Sequence, residues 1–153
     1  MHLHIEVQSR KRHDGLWAAA EKHRGGGATG PGELKRRVLV VDDDIDNARA
    51  LSYLFDVWGC RAEYAINGIV ALSIAQRFVP DIVILDLKLP DTHGAQVTRQ
   101  LRADPNLRKV RIVAITGSSK SEDRERALAA GCDEVLLKPV PISVYERLLG
   151  DDE

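Results

Sequence analysis

The chain is predicted to fold as an α/β domain, a parallel sheet wound on both faces by helices, and three observations carry that expectation. From Arg37 onward, short β-branched runs alternate with longer amphipathic stretches, the pattern of repeated strand-helix-strand units. The runs Val38-Leu39-Val40-Val41 and Ile82-Val83-Ile84-Leu85 are apolar without alternation, as strands are when both faces are buried. The conspicuous polar residues fall where such runs end: Asp42 and Asp43, Asp86, Thr116 and Lys138.

Taken in order, the first strand is Val38 to Val41, and Asp44 suits the N-cap of a first helix. Leu51, Leu54, Phe55 and Trp58 recur at i, i+3, i+4 and i+7, one stripe of that helix, which Gly59 closes. Arg61 to Ala65 makes a second strand. Asn67-Gly68 reads as a turn, after which Ala71, Ile74, Ala75 and Phe78 mark a second helix that Pro80 stops. Asp81 to Asp86 is a third strand with an acid at its carboxyl end, Pro90 and Gly94 bracket the next loop, and Val97 and Leu101 mark a third helix. Val110 to Ile115 is a fourth strand ending at Thr116-Gly117. Ser119 and Glu122 have the spacing of a capping box, opening a fourth helix that Gly131 closes. Val135 to Leu137 is the fifth strand, and Pro141 to Leu149 a short last helix before the acidic Asp151-Asp152-Glu153.

At 153 residues the chain holds about one domain, and 44% hydrophobic with 29% charged residues is enough to bury a core. A net charge of -1 excludes a generally basic coat for nucleic acid, so direct DNA binding is not expected. No apolar run approaches the roughly 20 residues that span a bilayer, and Met1 to Arg12 lacks the apolar stretch of a secretory signal. A soluble, cytoplasmic protein with no membrane contact is the expectation. Cys60 and Cys132 are too few for a disulfide framework or a closed zinc site and are read as buried thiols; a redox pair is disfavoured without C-x-x-C spacing.

Charge divides the chain unevenly, with eight Lys/Arg against four Asp/Glu in Met1 to Arg37 and fourteen against nineteen in the remainder. The breaker-rich run Gly25 to Gly32 marks a linker. Residues 1–36 are therefore read as a flexible, basic, Gly-rich extension and 37–153 as the folded domain. A short helix at Leu16 to His23 is too brief to stand alone in water, and His2 and His4 are read as solvated rather than metal-binding.

In open α/β sheets, ligand sites form outside the carboxyl ends of the strands, so the polar residues at those ends should converge. Clustered carboxylates either take up protons or bind a cation, and Mg2+ favours oxygen ligands, using one or two carboxylates plus phosphate oxygens. A lysine and a threonine on the same rim suit the spread charge of a phosphoryl group, and an aspartate can accept one as an acyl phosphate. Asp86 is the best candidate for that role.

These residues resemble response-regulator receiver domains of two-component phosphorelays. The resemblance rests on Val40-Val41-Asp42-Asp43-Asp44, on Ile84-Leu85-Asp86-Leu87-Lys88-Leu89-Pro90 with Gly94, on Ala114-Ile115-Thr116-Gly117, and on Leu137-Lys138-Pro139, and it covers Arg37 to about Leu149. It implies a flavodoxin-like, doubly wound, five-stranded parallel sheet in order 2-1-3-4-5. It also implies transfer of a phosphoryl group to Asp86 from a histidine kinase or histidine phosphotransfer protein, with Mg2+ required. Asp43 and Asp86 would bind the metal directly, Asp42 mostly through water, and Lys88 through its main-chain carbonyl. Lys138 and Thr116 would contact the phosphoryl oxygens, Thr116 as the switch residue with small Gly117 beside it. The Lys138-Pro139 bond matches one that is often cis in the family. Lys88 and Ser118 fall where the family's residues flank the path of hydrolytic water. Val135 departs from the pattern, standing where an aromatic usually couples the switch threonine to the face of the fourth helix, fifth strand and fifth helix. Cys60 and Cys132 would lie at opposite sheet edges, roughly 19 Å apart at about 4.8 Å per strand, so no bridge between them is expected.

Three rival readings compete. A haloacid-dehalogenase-like phosphohydrolase would use Asp42 as nucleophile with Thr116 and Lys138, but it leaves Asp86 unexplained and lacks a late acidic pair. A transcription factor would need an output module that Val140 to Glu153 cannot supply. A fragment of a larger hybrid kinase is the third. Two outputs stay open, signalling to a downstream protein target or relaying the phosphoryl group onward, and a stand-alone receiver that is not a turnover enzyme is preferred.

Overall fold

The structure, a computed structural model, describes residues 35–150. The Leu16 to His23 helix, His2, His4 and the acidic 151–153 lie outside the described residues. Five strands form one parallel sheet: β1 (Arg37–Val41), β2 (Arg61–Ala65), β3 (Ile82–Asp86), β4 (Arg111–Thr116) and β5 (Glu134–Leu137), in spatial order β2-β1-β3-β4-β5. Five helices alternate with them: α1 (Ile45–Val57), α2 (Gly68–Phe78), α3 (Gly94–Ala103), α4 (Ser121–Ala130) and α5 (Ile142–Gly150).

The two-residue period of a strand sends alternate side chains to opposite faces, and here both faces are apolar. Val38 and Val40 of β1 with Ile82 and Ile84 of β3 pack against Ala48 and Phe55 of α1 and Leu148 of α5. Leu39 and Val41 with Val83 and Leu85 face Ile74 and Phe78 of α2, Val97 and Leu101 of α3, and Ala127 of α4. This is why the strand sequences show no polar alternation. Each fully buried Leu, Ile or Phe contributes roughly 1.5–3 kcal/mol relative to exposure, so both layers are needed to hold the sheet.

Helix ends follow local chemistry. Asp44 caps α1, its carboxylate accepting from the amides of Asp46 and Asn47, as expected. Trp58 is the C-cap rather than a helical residue, and Gly59 takes a positive φ of 99°. α2 ends at Phe78 because Val79 turns left-handed (φ 47°, ψ 73°) before Pro80, a conformation β-branched residues rarely adopt. The expected capping box of Ser119 and Glu122 does not form. The N-cap of α4 is Lys120, without a side-chain bond; instead the Ser118 hydroxyl donates to the Asp123 carboxylate and accepts from the Lys120 amide at 3.2 Å. Ser118 thus takes over the capping work from one residue upstream, and the helix starts one residue later than Ser119 would set it.

Strand ends run slightly longer than the apolar runs because the ladder continues through polar residues: Arg37 pairs with Arg61, Val113 with Glu134, and Thr116 with Leu137. The C-terminus of α5 is held by two arginines, Arg36 Nη1 donating to the Leu149 carbonyl (2.6 Å) and Arg111 Nη1 to that of Leu148 (3.0 Å). Such cations satisfy carbonyls that a helix end leaves open. Cys60 precedes one edge strand and Cys132 the other, and both are free, buried thiols, as expected.

Candidate functional site

Register brings the strand ends together. Val41 pairs with Leu85, which sets Asp42 level with Asp86, and the Asp42 amide continues the ladder to the Ala65 carbonyl (3.0 Å). Asp86, the last residue of β3, pairs with Ile115, and the Lys138 amide donates to the Thr116 carbonyl (2.7 Å). Asp42, Asp43, Asp86, Thr116 and Lys138 therefore leave four neighbouring strands at one rim, although 96 positions separate the first from the last.

The carboxylates of Asp42, Asp43 and Asp86 each offer an oxygen within 4.8 Å of the others. Asp86 is buried, Asp42 half-buried and Asp43 exposed. Lys138 Nζ donates to Asp86 Oδ2 at 2.8 Å, and the Lys88 amide donates to Asp86 Oδ1 at 3.0 Å, so each oxygen of that carboxylate has a donor. Lys138-Pro139 is a cis peptide bond, as the sequence suggested.

Charge crowding shows in the titration of this cluster. Burial raises the Asp42 carboxyl above its ordinary range, and the nearby charges of Asp86 and Asp43 push the same way, against the Asp44 amide and Lys138. Burial alone would lower Lys138, but its bond to Asp86 and the charges of Asp86, Asp42 and Asp43 hold the ammonium above its ordinary value. Three carboxylates against one ammonium leave two negative charges in excess, the charge of one divalent cation. Hard oxygen donors of this kind suit Mg2+, which takes one or two carboxylates and keeps several waters.

Two loops frame the rim. After Asp86 the chain folds back on itself: Lys88 and His93 form an antiparallel bridge, and the Gly94 amide donates to the Leu87 carbonyl at 2.8 Å. His93 caps α3 through Nδ1, which accepts from the Ala95 amide (3.0 Å) and must therefore be unprotonated. After Thr116 the chain turns at Ser118, whose amide donates to Thr116 Oγ1 (3.0 Å). The Thr116 hydroxyl is thus engaged with its own loop and not with Asp86. A cleft of about 420 Å3 between α1 and α5 opens onto Asp42, Asp86 and Lys138, walled by Leu51, Leu54 and Tyr145.

Most of the residues singled out from sequence meet here: Asp42, Asp43, Asp86 and Lys138 in direct proximity, Lys88 through its amide, and Thr116 on the adjoining strand. Sequence reasoning missed Asp91 and Asp123. Asp91 Oδ1 and Oδ2 accept from the Gly68 and Ile69 amides (2.8 and 2.9 Å), so Asn67-Gly68, read as a turn, is in fact the capped start of α2. Nothing local in the sequence pairs positions 23 apart. Asp123, in the first turn of α4, had a weak signal, since an acid there suits a helix dipole.

Comparison with known proteins agrees with this architecture. Polar-differentiation response regulator DivK of Brucella anthropi is 30% identical over 122 residues, covering 77% of this chain and 99% of that protein. Chemotaxis response regulator CheY4 of Vibrio cholerae superposes with a TM-score of 0.72 at 26% identity, covering 76% of this chain and 98% of that one. The receiver domain of a sensor histidine kinase from Pseudomonas aeruginosa PAO1, solved with a magnesium ion coordinated in its active site cleft, does so at 0.70 with 31% identity, covering 78% and 98%. None of these likenesses supports the haloacid-dehalogenase-like reading. Residues 38–148 match the family model of the response regulator receiver domain, and the chain, with its five parallel strands in order 2-1-3-4-5 and its acidic rim, belongs to that phosphoacceptor family of two-component signalling.

Proposed function

We propose that Asp86 is the phosphoryl acceptor, and the observation that carries this is the bond from Lys138 Nζ to Asp86 Oδ2 inside the three-carboxylate cluster. Among the described residues this is the carboxylate that is both buried and held by a cation at the cluster. A carboxylate oxygen of Asp86 attacks the phosphorus of a phosphohistidine on a histidine kinase or histidine phosphotransfer protein. The phosphorus–nitrogen bond breaks with its electron pair going to the imidazole, and an acyl phosphate results. Asp42, Asp43, Asp86 and the Lys88 main-chain carbonyl would hold Mg2+, which offsets charge on the transferring oxygens when bound. Lys138 contacts a phosphoryl oxygen, and Thr116 turns its hydroxyl from the Ser118 amide toward another.

The protein passes one phosphoryl group per cycle and is not a turnover enzyme in this reading. It works in the cytoplasm beside its kinase and signals to a protein target rather than to DNA. No helix among the described residues is long and apolar enough to cross a membrane. Residues 37–153 serve as the receiver, with Arg36 latched to it through the Leu149 carbonyl, and the residues before Arg36 serve as an extension. The test is labelling by acetyl phosphate, read by intact mass. The wild type gains one phosphoryl group only with Mg2+ present, and Asp86→Asn gains none. Labelling that survives Asp86→Asn, whether or not Asp42→Asn removes it, or indifference to a chelator overturns the reading.

A further inference from the structure

The loop from Leu87 to His93 is held at its base by the Gly94 amide on the Leu87 carbonyl and by the Lys88–His93 bridge. Its tip, Pro90 and Asp91, is exposed; next to it Leu89 is buried in the core, and the tip itself has one hydrogen-bonded tether to a helix. The Asp91 carboxylate accepts from two consecutive amides, Gly68 (2.8 Å) and Ile69 (2.9 Å), at the N-terminus of α2. An anion there is favoured by the helix dipole, and two-point contact fixes direction as well as distance.

Packing at the same spot is close. A Cβ on Gly68 would lie 2.5 Å from Thr92 Cγ2 and 3.3 Å from Asp91 Oδ1, so only glycine lets the loop approach the helix this nearly. Burial would raise the Asp91 carboxyl, but the amides of Gly68, Ile69, Asp91 and Thr92 outweigh it and hold it below the ordinary carboxylate range, so the tether stays charged near neutral pH. α2 has its own cap as well, since Asn67 Oδ1 accepts from the Val70 amide at 2.8 Å. The helix start therefore does not depend on Asp91 alone, whereas the loop tip has no second anchor of this kind.

We propose that Asp91 is a positioning residue: by clamping the loop tip to α2 it sets the main chain at Lys88, and through it the strength with which the acidic rim binds Mg2+. The proposal rests on the reading of this rim as the metal and phosphoryl site. Lys88 is the lever because it sits at the anchored base with its amide on Asp86 Oδ1, so slack passed down the loop from an untethered tip loosens the Lys88 carbonyl and one donor of Asp86 without a large swing. Freedom in the tip costs ordering when a cation binds, which lowers affinity without changing the chemistry once the cation is bound.

The experiment compares wild type, Asp91→Ala, Asp91→Asn and Asn67→Ala as full-length chains. Calorimetry measures Mg2+ affinity with no phosphodonor present, and acetyl phosphate labelling is followed across a Mg2+ series. Asp91→Ala should weaken Mg2+ binding about five- to tenfold, with the labelling rate at saturating Mg2+ within twofold of wild type. Asp91→Asn keeps one acceptor oxygen and should fall between. Asn67→Ala also removes a cap from α2, and should lower thermal stability comparably while leaving Mg2+ affinity unchanged. Unchanged Mg2+ affinity in Asp91→Ala, or equal weakening in Asn67→Ala, overturns the proposal. Failure of wild type to bind Mg2+ at all overturns the site reading with it, and normal Mg2+ binding with no labelling overturns only the acceptor assignment.

Discussion

Gly94 stands where α3 begins and the acceptor loop closes, and replacing it with alanine should cost stability where a helix would normally welcome the change. Alanine is favoured over glycine inside a helix by about 0.8–1 kcal/mol, so the sign depends on what the new methyl meets. Its Cβ would lie 2.8 Å from Leu87 Cα, 2.9 Å from Leu87 Cδ2 and 3.0 Å from the Asp86 carbonyl oxygen. Carbon pairs rest at about 3.5–4.0 Å, so α3 and the end of β3 must part by roughly 0.7 Å, and two of the three obstacles are main-chain atoms. The Gly94 amide bond to the Leu87 carbonyl, 2.8 Å here, stretches with them. Overpacking of this kind costs about 1–3 kcal/mol, which outweighs the helix preference. Net of the helix preference this leaves up to about 2 kcal/mol, which in a domain of this size lowers Tm by up to roughly 10 °C. Because Asp86 is the residue displaced, labelling by acetyl phosphate should slow as well. Gly117→Ala is the control: a Cβ there meets nothing within 4 Å, and the change should be neutral or stabilise by about 0.4–1 kcal/mol through the unfolded chain. Urea unfolding measures both. A Gly94→Ala midpoint at or above wild type would refute the argument from close approach.

Lys88→Ala should change the half-life of the phosphorylated protein at least about threefold, or roughly 0.7 kcal/mol in barrier, since its exposed side chain stands two residues past Asp86, the proposed acceptor; equal decay curves count against it. Tyr64 is buried with a hydroxyl that finds no partner among the described residues, so Tyr64→Phe should raise the urea midpoint by the equivalent of about 1 kcal/mol, and a fall would mean the hydroxyl is satisfied in solution. Phosphorylation should shift amide resonances most around Asp43, Asp86, Thr116 and Lys138 and little at Val135, because stiff Val135 cannot swing as a ring does; large shifts at Val135 would refute this. Shifts in the first turn of α4 should shrink in Ser118→Ala, which loses the link to Asp123; shifts that persist there unchanged would show another route.

How much of this was legible depended on range in sequence. The five strands and five helices follow from apolar runs and their punctuation, each read within a window of about a dozen residues. Trp58, Lys120 and the strand ends at Arg37 and Glu134 moved by a residue or so because ladder pairing and capping are settled between elements. Gathering Asp42, Asp43, Asp86, Thr116 and Lys138 at one rim was predictable from the rule that parallel strands deliver their carboxyl ends to one side. The Asp91 clamp was not, because a carboxylate meeting amides 22 and 23 positions away is a product of how the loop and α2 pack. Ser119 misled for a related reason: its spacing to Glu122 was right, but Ser118 reached Asp123 first.

The arginine that reaches from the start of β1 to the last turn of α5 also means that the domain's entry and exit share a corner. Only one side chain separates residue 36 from the Leu149 carbonyl. A short glycine bridge from 150 to 35 would close the domain into a ring with little distortion, so the fold should tolerate circular permutation. The same seam would give a pull applied at Lys35 mechanical purchase. Such a pull would act on the Arg36 latch that holds the last turn of α5, at the pole of the sheet farthest from the acidic rim.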